Sequence, residues 1–302
     1  MSVDELMWLG SSPDHAVRPG RGPIRKALRR IMRDPKGAIG LTLVFGLVAL
    51  ALLAPAIAPY DPVVQNRGSE LLSPSSTFLF GTDEFGRDIL SRVIFGARTS
   101  LIVGGLAVVL GSVLGVSTGL VAGYIGGRTD SFIMRIYDGL MAFPAILLGI
   151  AVVAVLGPGS LKVSMAIALA QSPLFARLTR SLTLGEREKE YVEACRGMGA
   201  SSARIMFGHI LPNSLGPLIV QTALAMAFAV LAEAGLSFLG LGTQPPQPSW
   251  GKMLSDSLNF LRHAPWYGIF PGVALSLLLV GLNFTSDALR DAFDPSSKAG
   301  IR

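Results

Sequence analysis

Thr99-Ser-Leu-Ile-Val-Gly-Gly-Leu-Ala-Val-Val-Leu-Gly-Ser-Val-Leu-Gly-Val-Ser-Thr-Gly-Leu-Val-Ala-Gly-Tyr-Ile-Gly-Gly127 runs from Arg98 to Arg128 without an Asp, Glu, Lys or Arg. At about 1.5 Å per residue, a helix over this stretch outreaches the roughly 30 Å hydrocarbon core of a bilayer. Ala107, Gly111, Gly115, Gly119 and Gly123 recur every four residues within it. That spacing lines one helix face with small groups, so a second backbone can approach closely. The expected use is a packing seam. A glycine-lined permeation path is the other use of the same face.

Five further uncharged stretches follow the same logic: Gly37 to Tyr60, Gly139 to Leu161, Val163 to Ala176, Asn213 to Ala232 and Ala264 to Ser286. All but Val163 to Ala176 are long enough to span. That one spans only if Lys162 and Arg177 snorkel to the two interfaces. The reading is therefore an all-α integral membrane protein with six transmembrane helices. Composition agrees: half the residues are hydrophobic, 15% are charged, and Gly and Pro are abundant inside the apolar runs. A soluble globule would carry about a quarter charged residues. Ala56-Ile57-Ala58 has the form of a signal cleavage site, but the long polar segment before it and Pro59 after it favour an anchor.

The net charge of +6 gains meaning from its placement. Six spans put both termini on one side, and sorting the Lys and Arg residues leaves nineteen on that side. The other seven are Arg67, Arg87, Arg92, Arg98, Lys162, Lys252 and Arg262. The positive-inside rule then places both termini in the cytoplasm. The basic stretch Arg25 to Lys36 abuts a membrane helix and suits the inner leaflet, not nucleic acid.

The expected organisation is a cytoplasmic tail and basic amphipathic helix over 1–36, with the helix at 24–35, followed by a first span at 37–59. An outer loop over 60–98 ends in an interfacial helix from Asp88 to Arg98. A five-helix core over 99–290 contains a polar cytoplasmic loop at about 180–212, and a short tail closes the chain at 291–302. In the polar loop, Tyr191, Ala194, Cys195 and Met198 form a helical apolar stripe. Lys189 with Glu193, and Glu193 with Arg196, sit at ion-pair spacing. Gly199 is placed to stop the helix and Ser201 or Ser202 to cap a second one running to Leu211. Pro212 begins the next span.

This loop reads Glu193-Ala-Cys-Arg-Gly-Met-Gly199, then His209-Ile-Leu-Pro212. It resembles the "EAA" signature of permease subunits of bacterial ATP-binding-cassette importers: Glu-Ala-Ala, three residues, Gly, nine residues, Ile-x-Leu-Pro. Cys195 stands in the third position and His209 where the pattern has Ile. The stretch from Phe80 to Arg92, Gly96 to Leu101, Leu236 to Gly251 and Leu289 to Pro295 are similar to segments of C-type permeases of the dipeptide, oligopeptide and nickel subfamily. The resemblance covers roughly residues 35–296.

The resemblance implies a type I importer permease fold with a cytoplasmic coupling-helix loop, in the bacterial inner membrane. It implies a second homologous permease, two cytoplasmic ATPase subunits that bind ATP and Mg, and a periplasmic or lipid-anchored substrate-binding protein. Glu193 would anchor the loop helix in an ATPase cleft, with Tyr191, Ala194, Cys195 and Met198 as apolar contacts and Gly199 as the turn. His209, Leu211 and Pro212 complete the coupling segment. The implied cargo is di- and oligopeptides, with nickel, glutathione or another small solute as the alternative.

This chain is expected to bind no cofactor. It contains no GxxxxGK[ST], so it holds no P-loop of its own. The lone Cys195 excludes an intrachain disulfide or a thiolate zinc cluster. His209 has no second ligand at metal spacing and is read as an interfacial contact. Glu233 closes the fifth apolar run; it sits either in the outer headgroups or at the pathway mouth. Gln171, Ser172 and Asn283 are polar groups at membrane depth, suited to interhelical hydrogen bonds or, for Gln171 and Asn283, to the pathway. Trp250, Trp266 and Tyr267 suit an outer aromatic belt, and Pro245 to Pro248 stiffens a docking loop. An ion-coupled secondary carrier would need buried ionisable groups and repeated halves, and a membrane hydrolase a nucleophile with a base. Glu233 is the one candidate for the first, with no clear repeat of halves, and no nucleophile with a base or paired metal ligands is evident for the second.

Overall fold

The computed structural model describes Met32 and residues 34–293; the tail and basic helix expected before residue 34, and the end of the C-terminal tail, lie outside the described residues. Helices dominate, and β pairing among the described residues is a single bridge between Thr82 and Asp88.

The chain enters α1 (Pro35–Leu52) through Asp34, whose side chain accepts from the Gly37 N–H at 3.0 Å, with Pro35 in the first turn. Both features favour a helix start, since the cap satisfies an orphan donor and proline lacks the one that would be wasted. One further turn, α2 (Ala54–Ile57), ends it. The next helix, α3 (Ile89–Ile125), starts at Asp88, which accepts from the N–H and the hydroxyl of Ser91 at 2.8 and 2.6 Å. The separate interfacial helix expected from Asp88 to Arg98 does not exist. Its residues are the first turns of α3, because Ile89, Val93 and Ala97 are buried against Trp250, Met253 and Tyr267 and so cannot lie out on a membrane surface.

The expected third span, Gly139 to Leu161, divides. Its first residues finish α4 (Gly127–Met141), Pro144 starts α5 (Ala145–Leu156), and the two helices bend by 93°. Proline cannot donate into the preceding turn and biases its neighbour out of the helical region, so a break falls there. The expected fourth span lies within α6 (Ser160–Glu186), which is nearly twice as long as the uncharged stretch. After it come α7 (Glu190–Gly197), α8 (Ser202–Ile205), a π-helical turn over Met206–Ile210, α9 (Leu211–Asn213) and α10 (Leu215–Phe238). A short helix, α11 (Trp250–Ser257), precedes α12 (Trp266–Phe293).

By length and composition, α1, α3, α10 and α12 can each cross a bilayer, and α4 with α5 makes a fifth if the bent pair is one span. The six-helix expectation therefore depends on α6, which has the length but carries Lys162, Arg177, Arg180 and Glu186.

The glycine face of α3 meets α6 along its whole length. A Cβ on Gly111 would stand 2.9 Å from the Ala168 carbonyl oxygen, on Gly115 2.4 Å from that of Ser172, and on Gly119 2.3 Å from that of Ala176. On Gly123 it would stand 2.7 Å from Thr183 Cβ. The backbones touch because nothing intervenes. A second close approach, not noticed in the sequence, joins α1 to α12 through Gly40 and Gly281.

Candidate functional site

The loop between α6 and α10 is built from α7 downward. Lys189 precedes the helix in extended conformation, and Glu190 and Glu193 fall in its first turn, where carboxylates complement the helix dipole. At the other end Gly199 has φ +77°; its N–H donates to the Arg196 carbonyl at 2.9 Å and the Ala200 N–H to that of Cys195 at 3.0 Å. These two bonds are a Schellman cap, which needs the left-handed conformation that glycine adopts at least cost. Ser201, not Ser202, then caps α8, accepting from the Arg204 N–H.

The expected stripe splits into two faces. Val192, which the stripe omitted, is fully buried with Leu120 of α3, Ile205, Met206 and Ile210. Tyr191, Cys195, Ala200 and Leu211 pack around this cluster, half-buried. Glu193, Ala194, Gly197 and Met198 face outward, Met198 with 79% of its surface exposed. The loop helix is thus bolted to the C-terminal end of α3 by one side and presents a free edge on the other. The signal for Val192 was present, since Val192 with Cys195 and Gly199 has the same helical spacing as the chosen set; the choice between adjacent stripes depended on what lay underneath.

The ion pairs expected for Glu193 do not form. Lys189 instead reaches back to Glu186 at 2.6 Å, Tyr191 donates its hydroxyl to the other Glu186 oxygen at 2.7 Å, and Arg196 lies 5.4 Å over the Tyr124 ring. The hydrogen bond to Glu186 holds the exposed Lys189 ammonium above its ordinary pKa. Glu193 is left exposed on the free edge with neither partner. His209 is half-buried in the π turn, where its carbonyl accepts from the Asn213 amide, and Pro212 is exposed in α9.

At the opposite end of the bundle, the segment Phe80 to Arg92 folds into a knot around Asp83, which is fully buried. Its carboxylate accepts from the N–H groups of Phe85 and Arg87 and from the Arg87 side chain at 2.6 Å, with Arg92 at 3.3 Å. Arg92 also donates to the Pro62 carbonyl at 2.8 Å. Glu84 lies beside this group, and burial pushes its carboxyl above the ordinary range. Trp250 and Tyr267 are fully buried beneath the knot, not in an aromatic belt; the Trp250 indole donates to the Val93 carbonyl at 2.9 Å. Trp250, expected in a loop, is a core residue because it opens α11, a helix unrecognised in the sequence, which turns it inward.

Glu233 is buried between α3 and α10, not in the headgroups. It accepts from the Ser100 hydroxyl at 3.0 Å and from the Ser237 hydroxyl at 2.7 Å. Asn283 faces outward from α12 and donates to the Leu279 carbonyl one turn back. Gln171 is buried in the middle of α6, and its Nε2 has no hydrogen-bond partner.

Residues 111–299, spanning the α3–α6 seam, the loop and α10 to α12, match the model of the binding-protein-dependent transport system inner membrane component. The chain belongs to this family of membrane transport components. Residues 22–74 of the permease also match the N-terminal transmembrane domain of oligopeptide transport permease C. Among similar curated proteins is the dipeptide transport system permease protein DppC of Alkalihalophilus pseudofirmus, 44% identical, with 92% of this chain and 91% of that protein covered. The di/tripeptide transport system permease protein DppC of Pseudomonas aeruginosa is 44% identical over 87% of this chain and 89% of that protein. The glutathione transport system permease protein GsiD of Pectobacterium atrosepticum is 42% identical over 92% and 93%. The fold of the permease is also that of a chain in the inward-facing MetNI methionine ABC transporter, with TM-score 0.55 and 17% identity over 68% of this chain and 97% of that one.

Proposed function

We propose that this chain is one of two permease subunits of an ATP-driven importer for di- and oligopeptides in the bacterial inner membrane. Both termini lie in the cytoplasm, α6 crosses the membrane with Lys162 and Arg177 at its two interfaces, and α7 inserts its free edge into a cleft on an ATPase subunit. ATP and Mg act on the two ATPase subunits. A periplasmic or lipid-anchored binding protein delivers the peptide, docking on the loop that Pro245 to Pro248 stiffens.

The observation that carries this reading is the division of α7 into a side bolted to α3 and an acidic, apolar-tipped edge that nothing among the described residues covers. A push on Glu193, Ala194 and Met198 would pass through Val192 to Leu120 and so to α3, whose glycine face moves α6 with it. The names of the dipeptide and di/tripeptide relatives support the cargo; glutathione, itself a tripeptide, is kept as second reading on the GsiD likeness. Purified with its ATPases and binding protein, the complex should hydrolyse ATP faster with dipeptide-loaded binding protein than with the empty one; equal rates with every peptide tried would reject the cargo.

A further inference from the structure

We infer that α4 lies in the membrane–water interface and that its face of Arg128, Phe132, Arg135 and Ile136 binds the headgroups of anionic phospholipids. This goes beyond the transport reading, from which it takes only the placement of Arg177 at the interface.

One side of α4 is committed to the bundle. Asp130 accepts from the Arg180 guanidinium of α6 at 2.6 Å, Asp138 accepts from Arg177 at 2.6 Å, and the hydroxyls of Tyr137 and of Thr118 in α3 lie 2.6 Å apart. Arg177 is the first charge after the uncharged stretch of α6, Val163 to Ala176. These pairs hold α4 at the level where α6 passes from hydrocarbon to charge. Helix α5 carries no charged residue, packs along α6 and meets α4 at 93°. With α5 following the apolar depth of the membrane, α4 runs across it, close to the membrane plane.

The other side of α4 is composed for that position. Arg128, Phe132, Arg135 and Ile136 share one face at helical spacing, and all four are exposed. The arginines take one edge of this face, and Phe132 and Ile136 take the adjoining edge. That division is the mark of a helix lying in the interface, its cations among the headgroups and its apolar groups against the acyl boundary. Both acids of α4, Asp130 and Asp138, are taken up by Arg180 and Arg177, and among the described residues Arg128 and Arg135 have no carboxylate in ion-pair range. The free face therefore carries charge of one sign, the complement of a surface of lipid phosphates. A protein partner would have to bring a counter-ion to each arginine, because a charge buried without one is costly. Phosphates receive both at a level that water still reaches, the arginine stems carrying the charge outward.

The test uses the assembled importer in vesicles. A fluorophore is attached at Ile136→Cys in a Cys195→Ser background, and its quenching is titrated with brominated phosphatidylglycerol and with brominated phosphatidylcholine. We expect both lipids to quench, with phosphatidylglycerol associating about fivefold more tightly, the weight of one arginine near an anionic surface. Arg128→Gln combined with Arg135→Gln should bring the two lipids to parity while phosphatidylcholine quenches as before. Phe132→Cys provides a second labelling site should Ile136→Cys assemble poorly. Equal association of the two lipids with both arginines in place would overturn the headgroup assignment. Quenching by neither lipid, the result expected if the second permease or a water-filled space faces α4, would overturn the inference as a whole.

Discussion

The Ser100 hydroxyl donates to Glu233 Oε2 at 3.0 Å, tying α3 to α10 inside a single subunit. Ser237, one turn further along α10, donates to the other oxygen and also receives the Thr243 N–H at 3.3 Å, so the same carboxylate organises the loop that follows. Glu233→Ala leaves both hydroxyls without their acceptor. It should destabilise the purified complex by about 1–3 kcal/mol, seen as a lower melting temperature. Glu233→Gln, which keeps an acceptor oxygen, should lose less.

The α3–α6 seam predicts a graded series. Gly119→Ala places a methyl 2.3 Å from the Ala176 carbonyl oxygen, whereas Gly105→Ala meets nothing within 4 Å. Overpacking of this kind costs about 1–3 kcal/mol. Gly119→Ala should therefore reduce the yield of assembled complex, and Gly105→Ala should not. Assembly is read by co-purification of the ATPase subunits and transport by uptake per assembled complex. A Gly119→Ala variant that assembles fully but fails to transport would favour the permeation-path use of this face.

The outer knot predicts a loss through an orphaned charge. Asp83 balances Arg87 and Arg92, both almost wholly buried. Removing one partner of a buried ionic group costs about 3–5 kcal/mol. Asp83→Ala should therefore leave the outer loop open to limited proteolysis between α2 and α3 in intact vesicles, where the wild-type loop resists.

The Schellman cap of α7 predicts a conformational cost at one residue. Gly199 has φ +77° with open space around it, so strain and not collision governs substitution. A β-branched residue there costs about 1–2 kcal/mol. Gly199→Val should weaken coupling between ATP hydrolysis and uptake, measured as peptides imported per ATP, while Gly199→Asn, which visits the left-handed region more readily, should retain more of it.

The spans α1, α3, α10 and α12 were legible because twenty or so uncharged residues admit few alternatives in a polypeptide this apolar, and the α3 seam because glycine every fourth residue has one geometric meaning. The C-terminal end of α7 and the start of α8 were legible too, through Gly199 and Ser201. What the sequence hid was partner-dependent. Whether Val192 or Ala194 turns inward is decided by Leu120, far off in the chain. Asp88 to Arg98 has the amphipathic look of a surface helix, yet Trp250 packs on it. Glu233 and the 93° bend at Pro144 follow the same pattern: residue type marked the position, and tertiary neighbours set its role.

The central claim is that the free edge of α7 docks on an ATPase subunit. It is tested most directly by a single cysteine at its most exposed point, Met198→Cys in a Cys195→Ser background, in the assembled complex. The account predicts that Met198→Cys cross-links to an ATPase subunit with a short thiol reagent and is shielded from a soluble maleimide. A Met198→Cys thiol that cross-links to no ATPase subunit and is labelled as fast in the complex as in the isolated permease would contradict it.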